Sequence, residues 1–184
     1  MDHTAARMKH AAEELLEPAP DLARDGVVEI CSGLRRLLAD VFVLYVKTKN
    51  FHWHMTGRNF RDYHLLLDEH ATQIFAMTDE IAERARKLGG TTLHSISDIS
   101  KYQRLRDNNE ETVDPIHMLH ELARDNRELT RFLRATHEIC EKHKDVATAS
   151  MIEVWLDQTE RRAWFLGEIT GEREQQIRGA RKPH

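Results

Sequence analysis

Four long stretches of the chain carry apolar side chains at intervals of three and four residues, and strand-like alternation is absent throughout. This spacing places the apolar side chains on one side of an α-helix, where they are buried against other helices. Few all-helical arrangements bury four such helices together. The periodic stretches predict four long helices, at residues 27–54, 60–88, 115–143 and 145–170.

Glycine and proline mark the ends of these helices. Gly89 and Gly90 end the second helix, and Pro115 begins the third, because proline fits the first turn of a helix. Residues 90–114 form a long connection, with one short helix predicted at 97–105. This order predicts an all-α, ferritin-like four-helix bundle with one long crossover bearing a short helix.

Composition changes at both ends of the predicted bundle, which we place at residues 27–170. Residues 1–26 contain prolines, a glycine and three more acidic than basic side chains, so we interpret them as a tail with at most one short helix at 4–16. Residues 171–184 are polar, with a side-chain net charge of +2. Their composition predicts a basic, flexible C-terminal tail.

Charge and cysteine content limit the function classes. The 184 residues include 27 basic and 31 acidic side chains, and a net charge of −4 argues against a nucleic-acid-binding surface on the body of the protein. Cys31 and Cys140 lie far apart in sequence, and we expect two buried free thiols in a reducing compartment. No stretch approaches the roughly 20 apolar residues of a membrane span, and the N-terminus has no signal-peptide core. These features predict a cytoplasmic protein with no membrane partner.

Side chains that bind metals are concentrated between residues 49 and 84. His52 and His64 lie twelve positions apart, on either side of Gly57. Three of the carboxylates that follow His64 on the second helix lie within about 100° of it, at 100° per residue. Histidine with carboxylate suits iron or another divalent transition metal. The candidate ligands are His52, His64, Asp68, Asp79 and Glu83.

The five candidates cannot all bind one ion within one chain. Asp68 and Asp79 are eleven residues apart, roughly 16 Å along a helix, whereas ligand bonds are about 2 Å long. The chain therefore offers two half-sites, one with the histidines and Asp68 and one with Asp79 and Glu83. Two copies of the helix packed antiparallel about a two-fold axis near residues 73 and 74 would join them into two identical intersubunit sites.

A solvated helix face is the ordinary explanation for any one of these residues. Five such residues favour a metal site, because their spacing lets a two-fold axis join the two half-sites. A ferritin-type site inside each bundle uses Glu-x-x-His pairs on two helices. No Glu in this chain has His three residues later, so the sequence favours the intersubunit site.

The same residues resemble the motif of the Dps family, the mini-ferritins. The motif is met by Asn50-Phe51-His52-Trp53, Gly57, Phe60, His64, Asp68, Asp79, Glu83 and Arg84, with Lys49 close to the family's usual basic position. The resemblance covers roughly residues 34–170. It implies a di-iron ferroxidase site across a two-fold axis, with both histidines and Asp68 from one subunit and Asp79 and Glu83 from the other.

The resemblance also implies a hollow homododecamer that oxidises Fe(II) to Fe(III), with hydrogen peroxide as the oxidant, and stores ferric mineral, protecting DNA from oxidative damage. Zinc is expected as a competitor of iron. Trp53 would lie beside the iron pair, as a packing aromatic or as an electron donor. Family members line three-fold pores with acidic residues near the start of the fourth helix. Here Glu141 and Asp145 are the candidates, with Lys142 and Lys144 reversing the acidic character.

Two alternatives stay open. A DNA-compacting, nucleoid-associated protein with a vestigial or structural metal site would bind DNA weakly, and in a salt-dependent manner, through the basic tail. A zinc-dependent or plain scaffolding oligomer would bind metal without turnover. The tail residues for DNA are Arg173, Arg178, Arg181 and Lys182.

Overall fold

The computed structural model describes residues 21–171, and these form five helices and no strand. The tail residues 1–20 and 172–184, with the possible helix at 4–16, lie outside the described residues. The helices are α1 (Arg24–His54), α2 (Phe60–Lys87), α3 (Ile96–Tyr102), α4 (Pro115–Lys142) and α5 (Val146–Thr170).

The four long helices form a bundle. Helix α1 packs against α2 and α4, and α5 packs against the same two helices from the other side, so α2 and α4 lie diagonally opposite. The short helix α3 lies in the crossover between α2 and α4 and contacts α1. This is the all-α ferritin-like bundle with one long crossover that the periodicity predicts. None of the helices within residues 21–171 is long and apolar enough to cross a membrane.

Local signals set most helix ends where the sequence places them. The Asp114 carboxylate accepts hydrogen bonds from the backbone N–H groups of Ile116 and His117 at the start of α4, at 2.9 and 3.3 Å. Gly171 follows α5 in the left-handed conformation, with φ of 68°, and ends that helix.

Helix α1 begins three residues earlier than predicted, because Gly26 lies inside the helix and not at a break. A Cβ at this position would lie 2.8 Å from the His143 ring. The glycine therefore allows α1 to approach the end of α4 closely.

The core is apolar, with a few buried polar groups. Cys31 and Cys140 are buried free thiols, as predicted, and burial raises their pKa values to about 11 and about 12. Arg162 is fully buried, and burial lowers its pKa to about 10. Its guanidinium donates to Asn126 Oδ1 at 3.0 Å and to Thr159 Oγ1 at 2.8 Å.

A buried carboxylate fastens the crossover to the bundle. Asp40 on α1 has no exposed surface and accepts hydrogen bonds from the backbone N–H groups of Arg104 and Leu105, at 2.6 and 3.0 Å. The Arg104 guanidinium donates to the other carboxylate oxygen at 2.7 and 2.8 Å. One aspartate thus satisfies two backbone donors and pairs with one cation.

Replacing Asp40 by Ala will leave both backbone donors and the Arg104 guanidinium without their acceptor. We expect the free energy of unfolding to fall by about 3 kcal/mol in urea denaturation. The control is Asp107→Ala, which removes an exposed acceptor of Gln103 and should cost less than about 0.5 kcal/mol. Equal effects of the two substitutions would contradict this role for Asp40.

A second buried group makes stability depend on pH. His70 is 5% exposed, and burial, followed by the charges of Arg162 and Arg161, lowers its pKa from 6.5 to about 4. The folded protein therefore holds the neutral imidazole, whereas the unfolded chain takes up a proton below pH 6.5.

The stabilisation from neutral His70 is complete above about pH 6.5 and is lost as pH falls toward 4. We expect the unfolding free energy of the native sequence to drop by roughly 3 kcal/mol more over this interval than that of the His70→Leu variant. Urea denaturation at a series of pH values measures the difference. Parallel profiles for the two proteins would show that His70 does not couple folding to protonation.

Candidate metal centre

Two histidines meet at the turn between α1 and α2. His52 lies in the last turn of α1 and His64 in the second turn of α2, and Gly57 between them has φ of 95°, which favours glycine. The imidazole rings stack, with centroids 3.7 Å apart and planes 22° from parallel. The turn therefore brings together two residues that are distant in sequence.

Each histidine is fixed by the backbone of the other. His52 Nδ1 donates to the His64 carbonyl oxygen at 2.8 Å, and His64 Nδ1 donates to the His52 carbonyl oxygen at 2.9 Å. A carbonyl oxygen can only accept, so Nδ1 carries the proton in both rings. When such a ring is neutral, its lone pair is on Nε2, which is then the atom available to a metal ion.

Asp68 extends this pair. It lies one turn after His64 on α2, and its Oδ1 is 3.9 Å from His52 Nε2. Lys49 Nζ lies 2.7 Å from the same oxygen, and this hydrogen bond is the main cause that lowers the Asp68 pKa below its usual range. The structure thus brings together His52, His64 and Asp68, with an ammonium group at the carboxylate.

Asp79 and Glu83 lie farther along α2, and both are exposed. Lys87 Nζ pairs with Glu83 at 3.0 Å, one turn away. No three His, Cys, Asp or Glu side chains of the described part of one chain are arranged to hold an ion. The structure therefore leaves the two predicted half-sites separate within one chain, and their union stays a prediction.

Large apolar side chains are exposed beside the half-sites. Trp53, next to His52, is 63% exposed, and Val46 lies two turns earlier on the same side of α1. Leu65 and Phe75 are exposed on α2 at helical spacing from Asp68 and Asp79. Exposed apolar groups around polar ones mark an interaction surface. We name this face of α1 and α2 the ligand face.

Trp53 also contacts the charge beside the site. Lys49 Nζ lies 6.0 Å from the centroid of the indole ring, within the range of a cation–π interaction. The indole is therefore adjacent to both His52 and the ammonium group that pairs with Asp68. Its predicted roles, packing or electron donation, stay predictions.

Asp145 does not fit the pore role that the sequence suggests. It is 3% exposed, caps α5 through the Thr148 N–H, and pairs with Arg84 at 2.7 Å. A buried carboxylate that is already neutralised is unavailable to a passing ion. Glu141 is exposed, 3.8 Å from His137 Nδ1, and its pore role stays a prediction.

The sequence reasoning missed the contact between Arg84 and Asp145. Arg84 falls within the family motif, but no local pattern connects it to a residue 61 positions later. The tail residues predicted to bind DNA, Arg173, Arg178, Arg181 and Lys182, lie outside the described residues.

Comparisons with known proteins agree with this fold. A family model for the ferritin-like domain matches residues 31–175. DNA protection during starvation protein 1 of Deinococcus radiodurans is 32% identical over 140 residues, which cover 76% of this chain and 68% of that protein. The Halobacterium salinarum protein of the same description is 34% identical over 139 residues, covering 74% and 75%.

Solved structures of Dps proteins have the same fold as this chain. Dps from Thermosynechococcus elongatus has a TM-score of 0.74 at 28% identity, covering 76% of this chain and 88% of that one. The archaeal Dps homologue from Halobacterium salinarum has a TM-score of 0.80 at 28% identity, covering 84% and 87%. The bundle and its matches define a ferritin-like protein. Within that class, the chain belongs to the Dps family.

Replacing Lys49 by Ala will remove a cation that competes with metal for Asp68 Oδ1. We expect the intact particle to bind Co(II), a redox-stable substitute for Fe(II), about two- to fivefold more tightly by calorimetric titration. Lys101→Ala, in the crossover, is the control for the loss of one exposed lysine. Affinity that is unchanged or weaker in the Lys49 variant would mean that the ammonium does not compete.

Proposed function

We propose that this protein is a ferroxidase and iron-storing mini-ferritin whose catalytic site forms between two subunits. One observation carries the proposal: two histidines, each held through Nδ1 by the other's carbonyl group, offer Nε2 atoms beside Asp68 on an exposed, partly apolar face. Iron(II) is the substrate. Imidazole nitrogen with carboxylate oxygen is a ligand mixture suited to it.

A partner subunit would supply the remaining ligands. Residue pairs 64 and 83, and 68 and 79, are both centred between residues 73 and 74, so an antiparallel α2 pair brings each member of a pair opposite the other. Asp68 would then face the partner subunit's Asp79, and His64 the partner subunit's Glu83. The ligand face would be buried in this contact, which covers its exposed aromatic and aliphatic groups.

The residues of this chain suit a two-electron reaction. The histidines and Asp68 would hold one ferrous ion, and the glutamate from the partner would bridge to a second. Two ferrous ions supply the two electrons that hydrogen peroxide takes up with two protons, giving two ferric ions and two water molecules. Because both electrons are delivered together, no hydroxyl radical is released. The choice of peroxide rests on the family resemblance.

Storage and protection complete the proposal. Relatives are described as DNA protection during starvation proteins, and we extend that role to this chain. The assembly we propose is a hollow homo-oligomer of two-fold dimers, a dodecamer as the resemblance implies, with ferric mineral inside. Zinc would compete with iron for the same nitrogen and oxygen ligands.

The double substitution His52→Ala with His64→Ala tests the proposal. We expect the initial rate of ferric absorbance, after anaerobic Fe(II) loading and addition of peroxide, to fall at least about tenfold, because both nitrogen ligands are removed. The matched control is His54→Ala, an exposed histidine two residues away whose Nδ1 lies 2.8 Å from the Asn50 carbonyl oxygen. Native mass spectrometry should show the same assembly for all proteins. Oxidation at the native rate in the double variant would refute the assignment.

A further inference from the structure

One buried cation in the bundle core has no acidic partner. Arg162 on α5 has no exposed surface, and burial is what lowers its pKa to about 10. The guanidinium is therefore still charged at neutral pH. An unpaired charge in an apolar core is costly, because the core solvates it far less well than water does. A counter-ion at Arg162 would remove much of this cost.

The buried carboxylates do not supply that counter-ion, because each is already paired. Three aspartates within residues 21–171 are at most 5% exposed, and each lies 2.7 Å from a basic nitrogen. The pairs are Asp40 with Arg104, Asp125 with Lys47, and Asp145 with Arg84. Glu80, which extends from α2 toward α5, accepts a hydrogen bond from the Trp155 indole at 2.7 Å. No acidic side chain in this part of the chain contributes to the pKa of Arg162.

Two of the three guanidinium nitrogens have neutral acceptors. Nε donates to Asn126 Oδ1 at 3.0 Å, and Nη2 donates to Thr159 Oγ1 at 2.8 Å. Both acceptors are themselves held in place. Asn126 Nδ2 donates to the Leu122 carbonyl oxygen at 2.8 Å, and the Thr159 hydroxyl donates to the Trp155 carbonyl oxygen at 2.6 Å. These contacts fix the guanidinium in position without neutralising its charge.

The third nitrogen, Nη1 of Arg162, is buried and has no hydrogen-bond partner among the residues that the structure describes. Buried donors in native proteins are nearly always hydrogen-bonded. Nη1 carries two of the N–H groups of the guanidinium. The unpartnered donors and the unbalanced charge therefore belong to one group, and a single negatively charged acceptor satisfies both.

Side chains from three helices contact this group. Asn126 lies on α4, Thr159 on α5 and Met77 on α2, and the Met77 Sδ atom is 3.8 Å from Nη2. All three are at most 1% exposed. Helical bundles build ligand sites in this way, from inward side chains on facing helices. The contacts are an amide, a hydroxyl and a thioether, and the guanidinium charge repels metal ions, so the arrangement favours an anion over a cation.

We propose that Arg162 binds one small monovalent anion, such as chloride, at Nη1 inside each subunit. A monovalent anion balances the single charge of the guanidinium, and the N–H groups of Nη1 form charge-assisted hydrogen bonds with it. A divalent anion such as sulfate would leave one negative charge unbalanced in the core. The single unpartnered nitrogen also limits the site to an anion that needs few donors. Chloride meets both limits.

This anion site does not rest on the proposed ferroxidase. It lies within one bundle, and none of the predicted iron ligands is among the side chains that Arg162 contacts. Its expected effect is on stability. An anion that binds the folded chain and not the unfolded chain stabilises the fold increasingly as its concentration rises. Chloride would therefore be a structural ligand of the subunit.

Urea denaturation of the full-length protein, with chloride as the probe, tests the proposal. Chloride replaces gluconate stepwise at constant sodium concentration and ionic strength, because gluconate is too bulky for a buried site. The test variant is Arg162→Met, which removes the charge and keeps an unbranched side chain. The matched control is Arg161→Met, which removes the same charge from the exposed arginine that precedes it in the sequence.

We expect the equilibrium constant for unfolding of the native protein to fall about tenfold for each tenfold rise in chloride above the dissociation constant. The Arg161→Met control should show the same dependence. In Arg162→Met the constant should change by less than about twofold over the same range, because the site is lost. Equal chloride dependence in all three proteins would be a surface salt effect and would overturn the proposal. Unfolding of the native protein that does not respond to chloride would overturn it as well.

Crystals of the native protein grown in sodium bromide give a second test that needs no variant to fold. Bromide has the charge of chloride and scatters X-rays anomalously, so we expect an anomalous peak beside Nη1 of Arg162 in every subunit. Density at that place without an anomalous signal would assign a water molecule and contradict the proposal. Bromide found at the protein surface alone would be an adventitious ion only, with the same consequence. If Arg162→Met does not fold, this measurement decides between the outcomes.

Discussion

The pair of hydrogen bonds between His52 and His64 is the interaction on which the proposed chemistry depends. Each ring donates to the other's carbonyl group, so one contact fixes the turn between α1 and α2 and sets the tautomer of both histidines. A histidine held in this way loses little rotational freedom when it binds an ion. The left-handed Gly57 lets the chain reverse within five residues, between His54 and Phe60.

Distance along α2 is the second constraint. A rigid helix cannot bring Asp68 and Asp79 to one ion. Among the described residues of one chain, no three His, Cys, Asp or Glu side chains are arranged to hold an ion. The ligand face also exposes several large apolar side chains, and such a patch is typical of a protein–protein contact. Both observations favour a second copy of the chain as the missing part of the site. Catalysis would then require assembly, because the site would be complete only between two subunits.

The sequence predicted the helices well because their periodicity reports directly which side is buried. α2, α4 and α5 begin and end within one residue of the predicted bounds. Gly26 and Asp145 were misjudged for a common reason: their roles depend on His143 and Arg84, which lie more than 60 residues away. The sequence also could not predict that Arg162 is buried or that Glu121 pairs with buried Lys47, because neither feature leaves a local pattern. The histidines and Asp68 were grouped correctly in space, because a turn between two adjacent helices is a local feature.

Mixed assemblies test the shared site most directly. One variant carries His52→Ala and His64→Ala, the other Asp79→Ala and Glu83→Ala, and each alone should be inactive. In a dimer that contains one of each variant, one site lacks all four substituted ligands and the other keeps a complete set. When equal amounts of the variants assemble at random, about a quarter of all sites are complete, so about a quarter of the native rate of iron oxidation should return. Mixed particles as inactive as both parents would contradict a site built from two subunits.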